Sequence, residues 1–237
     1  MERPLERRAS VRTAVIWDAC RARLEQAPDQ TVLDIGGGTG GFAVRVAELG
    51  HRVTVVDPSP DALAALGRRA DERGVADRVV AMQGDLAGLP ALVADDSVDV
   101  VLCHEVLGLV DDPASALTAI AGVLRPGGSL SLLVSQRHAA VFARAMAGHF
   151  AQALHALDAD AGGERRFTAA EITALLSGAG LRTDEVQAVR VFADLVPSTL
   201  LDLEPGAVEG LLDLERAVAA RPEYLALAAQ LHVLATA

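Results

Sequence analysis

The chain has 237 residues, 51% of them hydrophobic and 22% charged, with a formal net charge of −11. That length buries a core without staples, the apolar share excludes a disordered chain, and two cysteines, Cys20 and Cys103, exclude a disulfide scaffold. All 21 basic residues are arginine, which removes lysine Schiff-base and P-loop chemistry, and the acidic balance argues against a broad nucleic-acid-binding face.

No run of 18 apolar residues lacks charges or breakers, and MERPLERRAS carries no apolar stretch behind its charges, so the expectation is a cytoplasmic protein with no membrane partner. Ser10 is placed to cap a helix over 11–26 that Pro28 ends. TVLDI (31–35) reads as a buried strand, GGGTGG (36–41) as a loop, and a helix runs to about Leu49. HRVTVVD (51–57) is the second strand. Pro58 breaks it, and Ser59 caps a helix to about Arg73. RVVAMQ (78–83) and SVDVVLCH (97–104) are strands three and four, a helix starts at Pro113, RPGG (125–128) turns, and SLSLLVS (129–135) is strand five.

Beyond 135 the pattern predicts a helix over 138–157, a loop at AGGE (161–164), and a capping box from Thr168 to Glu171. A long strand at 181–194, a helix at 208–220 and a last strand at 230–236 follow. Strand and helix alternate from 31 to 135, which predicts an α/β fold with a mostly parallel sheet and helices on both faces. No strong boundary divides residues 1–237, so one domain is expected, with 138–167 and 195–228 as lid or insertion segments.

Gly36, Gly38 and Gly40 follow the first strand and allow close backbone approach to a ligand. The same letters fit the dinucleotide fingerprint through Gly36, Gly38 and Gly41, so the loop alone leaves the cofactor open. Asp57 ends strand two, 21 residues after Gly36, where a carboxylate accepts hydrogen bonds from ribose hydroxyls; the plainer role is capping before Pro58. Asp34 sits just before the glycines. It would repel a pyrophosphate and attract a cationic amino group. His104 follows strand four at the carboxyl edge of the sheet and is the candidate catalytic residue. Histidines 51, 104, 138, 149, 155 and 232 form no i, i+3 or i, i+4 pair, so no metal is expected. Trp17 and Tyr224 read as packing residues.

Together VLDIGGGTGG, VVDPS, QGDL and LRPGGSL resemble the class I S-adenosylmethionine (SAM)-dependent methyltransferases. VRTAVIWD (11–18), HEVLGLVDDP (104–113), VRVFAD (189–194) and Leu-His-Val near the C-terminus resemble one branch, the bacterial tRNA 5-carboxymethoxyuridine methyltransferases, which esterify a carboxylate on a wobble uridine. The chain departs from the branch at 158–167, DADAGGERRF, where that family carries a lysine-rich loop.

The resemblance implies a Rossmann-like seven-stranded sheet with an antiparallel last strand, SAM as cofactor and S-adenosylhomocysteine as product. It implies that residues 1–28 cover the cofactor, that Arg12 reaches its methionine carboxylate, and that Asp34, Gly36, Gly37, Gly38, Asp57, Pro58, Gly84, Asp85, Leu86 and His104 lie along it. Arg166 and Arg190 are candidate substrate anion binders. The acceptor is an oxygen or nitrogen, on a tRNA carboxylate or on a small metabolite; a non-catalytic SAM-binding protein is the remaining alternative.

Overall fold

Seven strands form one sheet in the order β3-β2-β1-β4-β5-β7-β6. The computed structural model describes residues 4–158 and 165–237, with no side-chain description for 4–12, 198, 202 and 203. In chain order the first half runs α1 (Pro4–Leu24), β1 (Thr31–Ile35), α2 (Ala43–Glu48), β2 (Arg52–Asp57), α3 (Pro60–Arg73), β3 (Val79–Gln83), α4 (Leu89–Leu92), β4 (Val98–His104), α5 (Pro113–Val123) and β5 (Leu124–Ser135). The second half runs α6 (Arg137–Met146), α7 (Phe150–His155), α8 (Ala169–Gly178), β6 (Arg182–Val189), α9 (Ser198–Leu203), α10 (Ala207–Ala219), α11 (Pro222–Leu225) and β7 (Gln230–Thr236).

β1 pairs in parallel with β2 on one side and β4 on the other. The strand order reverses there, and the carboxyl ends of β1 and β4 open a crevice, the standard ligand position of open α/β sheets. β7 pairs antiparallel with both β5 and β6, as the resemblance implies. Val32 and Val55 bury one face with Ile16 and Leu24 of α1, while Leu33, Ile35 and Val56 bury the other with Leu117, Ile120 and Leu176. Strands covered on both faces read as near-continuous apolar runs, which is why TVLDI and VDVVL are legible as strands. The one charged residue in β1, Asp34, is buried.

Helix ends follow local chemistry. Ser59 accepts from the Ala62 N–H and Pro60 opens α3; Thr168 and Glu171 close a reciprocal capping box on α8.

Four expected boundaries differ. α1 begins at Pro4, so Ser10 lies within it, and it ends at Leu24, ahead of Pro28. The helix expected over 138–157 is two helices, divided where Gly148 adopts φ 77°. The expected turn at 125–128 is part of β5, with Gly127 at φ 79°. The strand expected over 181–194 ends at Val189, because Arg190 enters the left-handed region at φ 59° and the next three residues turn onto a carboxylate from α10. The AGGE loop lies outside the described residues.

Candidate functional site

The crevice is built from β1 outward. The Gly36 N–H donates to the Val56 carbonyl at 2.8 Å and takes φ 69°, turning the chain out of β1. A Cβ at Gly37 would stand 2.5 Å from Asp34 Oδ2, so only glycine leaves that carboxylate room. Asp34 Oδ2 is buried with no hydrogen-bond partner. Burial, reinforced by the charge of Asp57, pushes the Asp34 carboxyl up to about 7. An orphaned acid of this kind suits a cationic ligand group.

Asp57 ties the loop to β2. Its Oδ2 accepts from the Gly38 N–H at 2.9 Å and its Oδ1 from the Ser59 N–H at 2.8 Å. Each oxygen keeps a second lone pair, so the local capping role and hydroxyl binding coexist. The Gly84 N–H donates to the Asp57 carbonyl at 3.2 Å, bringing the end of β3 alongside.

Asp34, Gly36, Gly37 and His104 line one cavity of about 300 Å³, with Thr13, Ile16, Phe42, Leu133 and Gln230. Gly38, Asp57 and Gly84 adjoin it through the bonds above. Pro58 and Asp85 are exposed, and Asp85 accepts from the Gly88 N–H at 2.9 Å. The Leu86 side chain is committed to the core at 1% exposure, leaving only its backbone for ligand contact. Arg12 lies in α1, but its side chain is outside those described.

α1 reaches the cavity because Trp17 packs on Phe42, ring centroids 5.9 Å apart, with the Arg45 guanidinium 3.6 Å above the indole. Phe42 in turn meets His104 edge-on at 4.9 Å. These aromatic contacts, and Thr13, Ile16 and Gln230, escape sequence reading; apolar residues on a helix look alike whether they face core or ligand.

A second cavity, about 610 Å³, is lined by Arg144, Arg166, Arg190, Phe142, Phe192, Leu195 and Leu227, among others. It brings the two candidate arginines together and adds Arg144, which sequence reading missed. Arg190 and Gln230 line both cavities. Arg190 Nη2 donates to Asp194 at 2.5 Å. Buried Glu215 of α10 accepts from the N–H groups of Val191, Phe192 and Ala193 at 3.0, 2.9 and 2.8 Å. That carboxylate shapes the wall. Its sequence signal is a charged residue on the apolar stripe Leu211, Glu215, Val218.

The fold also gathers Cys20, His104 and His232, whose ligand atoms lie within 4.8 Å of one another. Ser131 Oγ sits among them, 3.1 Å from Cys20 Sγ, 2.9 Å from His104 Nε2 and 2.8 Å from His232 Nε2. A hydroxyl thus stands where a cation would.

Residues 33–132 match the family model described as a methyltransferase domain. Over 238 aligned residues the chain is 30% identical to the tRNA 5-carboxymethoxyuridine methyltransferase of Escherichia coli (strain K12), covering 96% of this chain and 88% of that protein. The chain belongs to the class I SAM-dependent methyltransferase family. Over 128 residues it is also 39% identical to a ubiquinone biosynthesis O-methyltransferase of Xanthomonas axonopodis, covering 54% of this chain and 52% of that protein.

Among solved structures, a SAM-dependent methyltransferase from Mesorhizobium loti has a TM-score of 0.63 at 18% identity, covering 96% of this chain and 100% of that chain. The [4+2]-cyclase SpnF has a TM-score of 0.64 at 21% identity, covering 92% of this chain and 78% of that chain. Likeness at that level fixes the fold and leaves the reaction to the site.

SAM is the cofactor of this methyltransferase and S-adenosylhomocysteine its product. The residues present suit SAM: an unpartnered acid for the ammonium, acceptor lone pairs on Asp57 for ribose hydroxyls, and glycine backbone where a Cβ would intrude.

Proposed function

We propose that this methyltransferase esterifies a carboxylate of an acceptor held in the larger cavity, with SAM in the smaller. The observation that carries the reading is the sharing of Arg190 and Gln230 by the two cavities, which sets an arginine-flanked pocket directly beside the glycine loop. When bound, SAM supplies an electrophilic methyl group on a sulfonium. Asp34 faces its ammonium, Asp57 its ribose hydroxyls, and the backbone of Gly36, Gly37 and Gly38 its length. Pro58, Gly84, Asp85 and the Leu86 backbone flank the adenine, and Arg12 takes the methionine carboxylate.

Arg166 and Arg190 hold the acceptor carboxylate in line with the methyl group. A carboxylate is ionised near neutral pH, so no general base is needed; alignment and water exclusion carry the rate. His104 then serves as a cofactor contact and not as a proton carrier. Within 1–28, Thr13 and Ile16 wall the smaller cavity, and within 138–167 and 195–228, Phe142, Arg166, Leu195 and Leu227 wall the larger one, which suits a role of these segments as cover and lids.

The carboxymethoxyuridine of a tRNA is the acceptor that the E. coli relative supports, since the match spans 96% of this chain. A cytoplasmic setting belongs to the same reading. Among the described residues no helix is long and apolar enough to cross a membrane.

A small free acid is a second reading. It is favoured by Phe142, Phe192, Leu195 and Leu227 in the cavity wall and by a net charge of −11 with no lysine to meet phosphates. Incubation with methyl-labelled SAM and either carboxymethoxyuridine-containing tRNA or a pool of small carboxylic acids separates them. Label in the tRNA supports the first reading, label confined to the pool the second, and label in neither overturns the carboxylate acceptor.

A further inference from the structure

One line of side chains crosses the sheet beneath the site and fixes a proton at each step. Gln187 on β6 donates through Nε2 to Glu185 Oε1 at 2.9 Å, which turns its Oε1 toward His232 Nδ1, 3.0 Å away. A carbonyl oxygen only accepts, so His232 Nδ1 carries the hydrogen. His232 is fully buried, and burial and neighbouring His104 push it down to about 3; it is neutral, and its Nε2 is bare. That nitrogen takes the hydroxyl proton of Ser131 at 2.8 Å.

Ser131 has one proton, and it is spent. Its oxygen therefore accepts from its two other neighbours. Cys20, whose thiol burial pushes up to about 12, donates S–H at 3.1 Å. His104 donates Nε2–H at 2.9 Å. Burial pushes His104 down to about 4, so its Nδ1 holds a lone pair. Among the described residues Nδ1 makes no hydrogen bond, and the ring lines the same cavity as the unpartnered Asp34 Oδ2. The opposite tautomer would set two lone pairs against each other at Ser131.

We propose that Ser131, His232 and Gln187 are positioning residues that hold His104 in its Nε2–H tautomer, so that Nδ1 accepts a hydrogen bond from the SAM ammonium alongside Asp34. This rests on SAM occupying the smaller cavity. An ammonium offers three N–H donors, and an imidazole nitrogen held as an acceptor, beside an Asp34 that ionises on meeting the cation, selects it over a carboxylate.

The test is long-range proton–nitrogen NMR on the full chain labelled with ¹⁵N-histidine at neutral pH, with His104 assigned through His104→Asn. The wild type should show a protonated Nε2 and a bare Nδ1, and S-adenosylhomocysteine, which keeps the ammonium, should move the Nδ1 resonance. Ser131→Ala and Gln187→Leu should both populate the Nδ1–H form and weaken S-adenosylhomocysteine binding roughly tenfold, with Ser131→Thr restoring both. The wild-type spectrum and Gln187→Leu decide the matter if Ser131→Ala does not fold. A protonated Nδ1 in the wild type, or an unchanged tautomer in Ser131→Ala, overturns the relay. Failure of the wild type to bind S-adenosylhomocysteine, read by calorimetry, overturns the ammonium contact together with the cofactor placement, and the tautomer still judges the relay separately.

Discussion

The two cavities meet at Arg190 but are assembled by different means. Around the smaller one, the two acids sit at the ends of paired strands and are held by the loop groups beside those ends: Asp34 by the glycines that follow it, Asp57 by Ser59 and, across the β1–β2 pairing, by Gly38. Around the larger one, the wall at 191–193 hangs from Glu215, 22 to 24 residues further along the chain. Gln136 bridges to Phe167 at another edge. A family can therefore keep the first cavity with a short motif and rebuild the second through helices and loops, which matches relatives with different acceptors in their names.

The sharpest way to probe that contrast is to remove the discomfort of the cofactor side. Asp34→Asn should stabilise the free protein while weakening SAM binding tenfold or more. The folded carboxyl sits at about 7 against 3.8 for an ordinary aspartate, which corresponds to at most roughly 4 kcal/mol. The sign follows from proton binding. Below pH 3.8 both folded and unfolded states are protonated and the cost vanishes; it grows as pH rises and is complete above about 7. Denaturant titrations should show the variant's advantage near zero at pH 4 and maximal at pH 8. SAM binding to the wild type near pH 7 should release protons, measured by calorimetry in buffers of different ionisation heat. Equal stability of the two proteins at pH 8 would remove the strained acid from the account.

The acceptor side should respond in the opposite sense. Glu215→Ala leaves three backbone N–H groups without their carboxylate, and the expected loss of stability is about 3 kcal/mol. The KM for the acceptor should rise while the Kd for S-adenosylhomocysteine changes little. A variant that loses cofactor and acceptor equally would show that the two cavities are one mechanical unit. Asp57→Ala is the counterpart on the cofactor side. Loss of a charge-assisted bond should weaken SAM binding by about 2 kcal/mol with the acceptor KM unmoved, and calorimetry reads both.

How much of this was legible follows from the same contrast. The parallel half of the sheet, Asp34, Asp57 and the glycines were readable because strand, loop and acid are contiguous in VLDIGGGTGG and VVDPS; the strand order that makes the crevice was not. The capping box at Thr168 was readable for the same reason. The left-handed turn at Arg190 was not, because no glycine marks it, and a β-rich run appeared to continue to 194. The cluster at Ser131 joins residues separated by 27, 101 and 111 positions. Spacing arguments could not assemble it, so His232 and Cys20 looked like ordinary strand and helix residues.

Arg190 carries the smallest expected effect and the finest distinction, because it combines a side chain shared by both cavities with a backbone at φ 59°. Two substitutions separate those properties. Arg190→Ala removes the guanidinium and keeps a strained residue; Arg190→Gly removes both. If the guanidinium meets the acceptor carboxylate, both variants should lose about tenfold in kcat/KM for the acceptor, roughly 1.4 kcal/mol. The Kd for S-adenosylhomocysteine should stay within about twofold in each. Only the glycine variant should gain stability over the alanine variant, by about 1 kcal/mol, since a left-handed residue with a Cβ is the costly one. If Arg190 instead matters through its backbone, Arg190→Ala should retain full kcat/KM and Arg190→Gly should lose it as the loop relaxes. The Asp194 pair, with 26% and 29% of its two side chains exposed, contributes too little to mask either outcome.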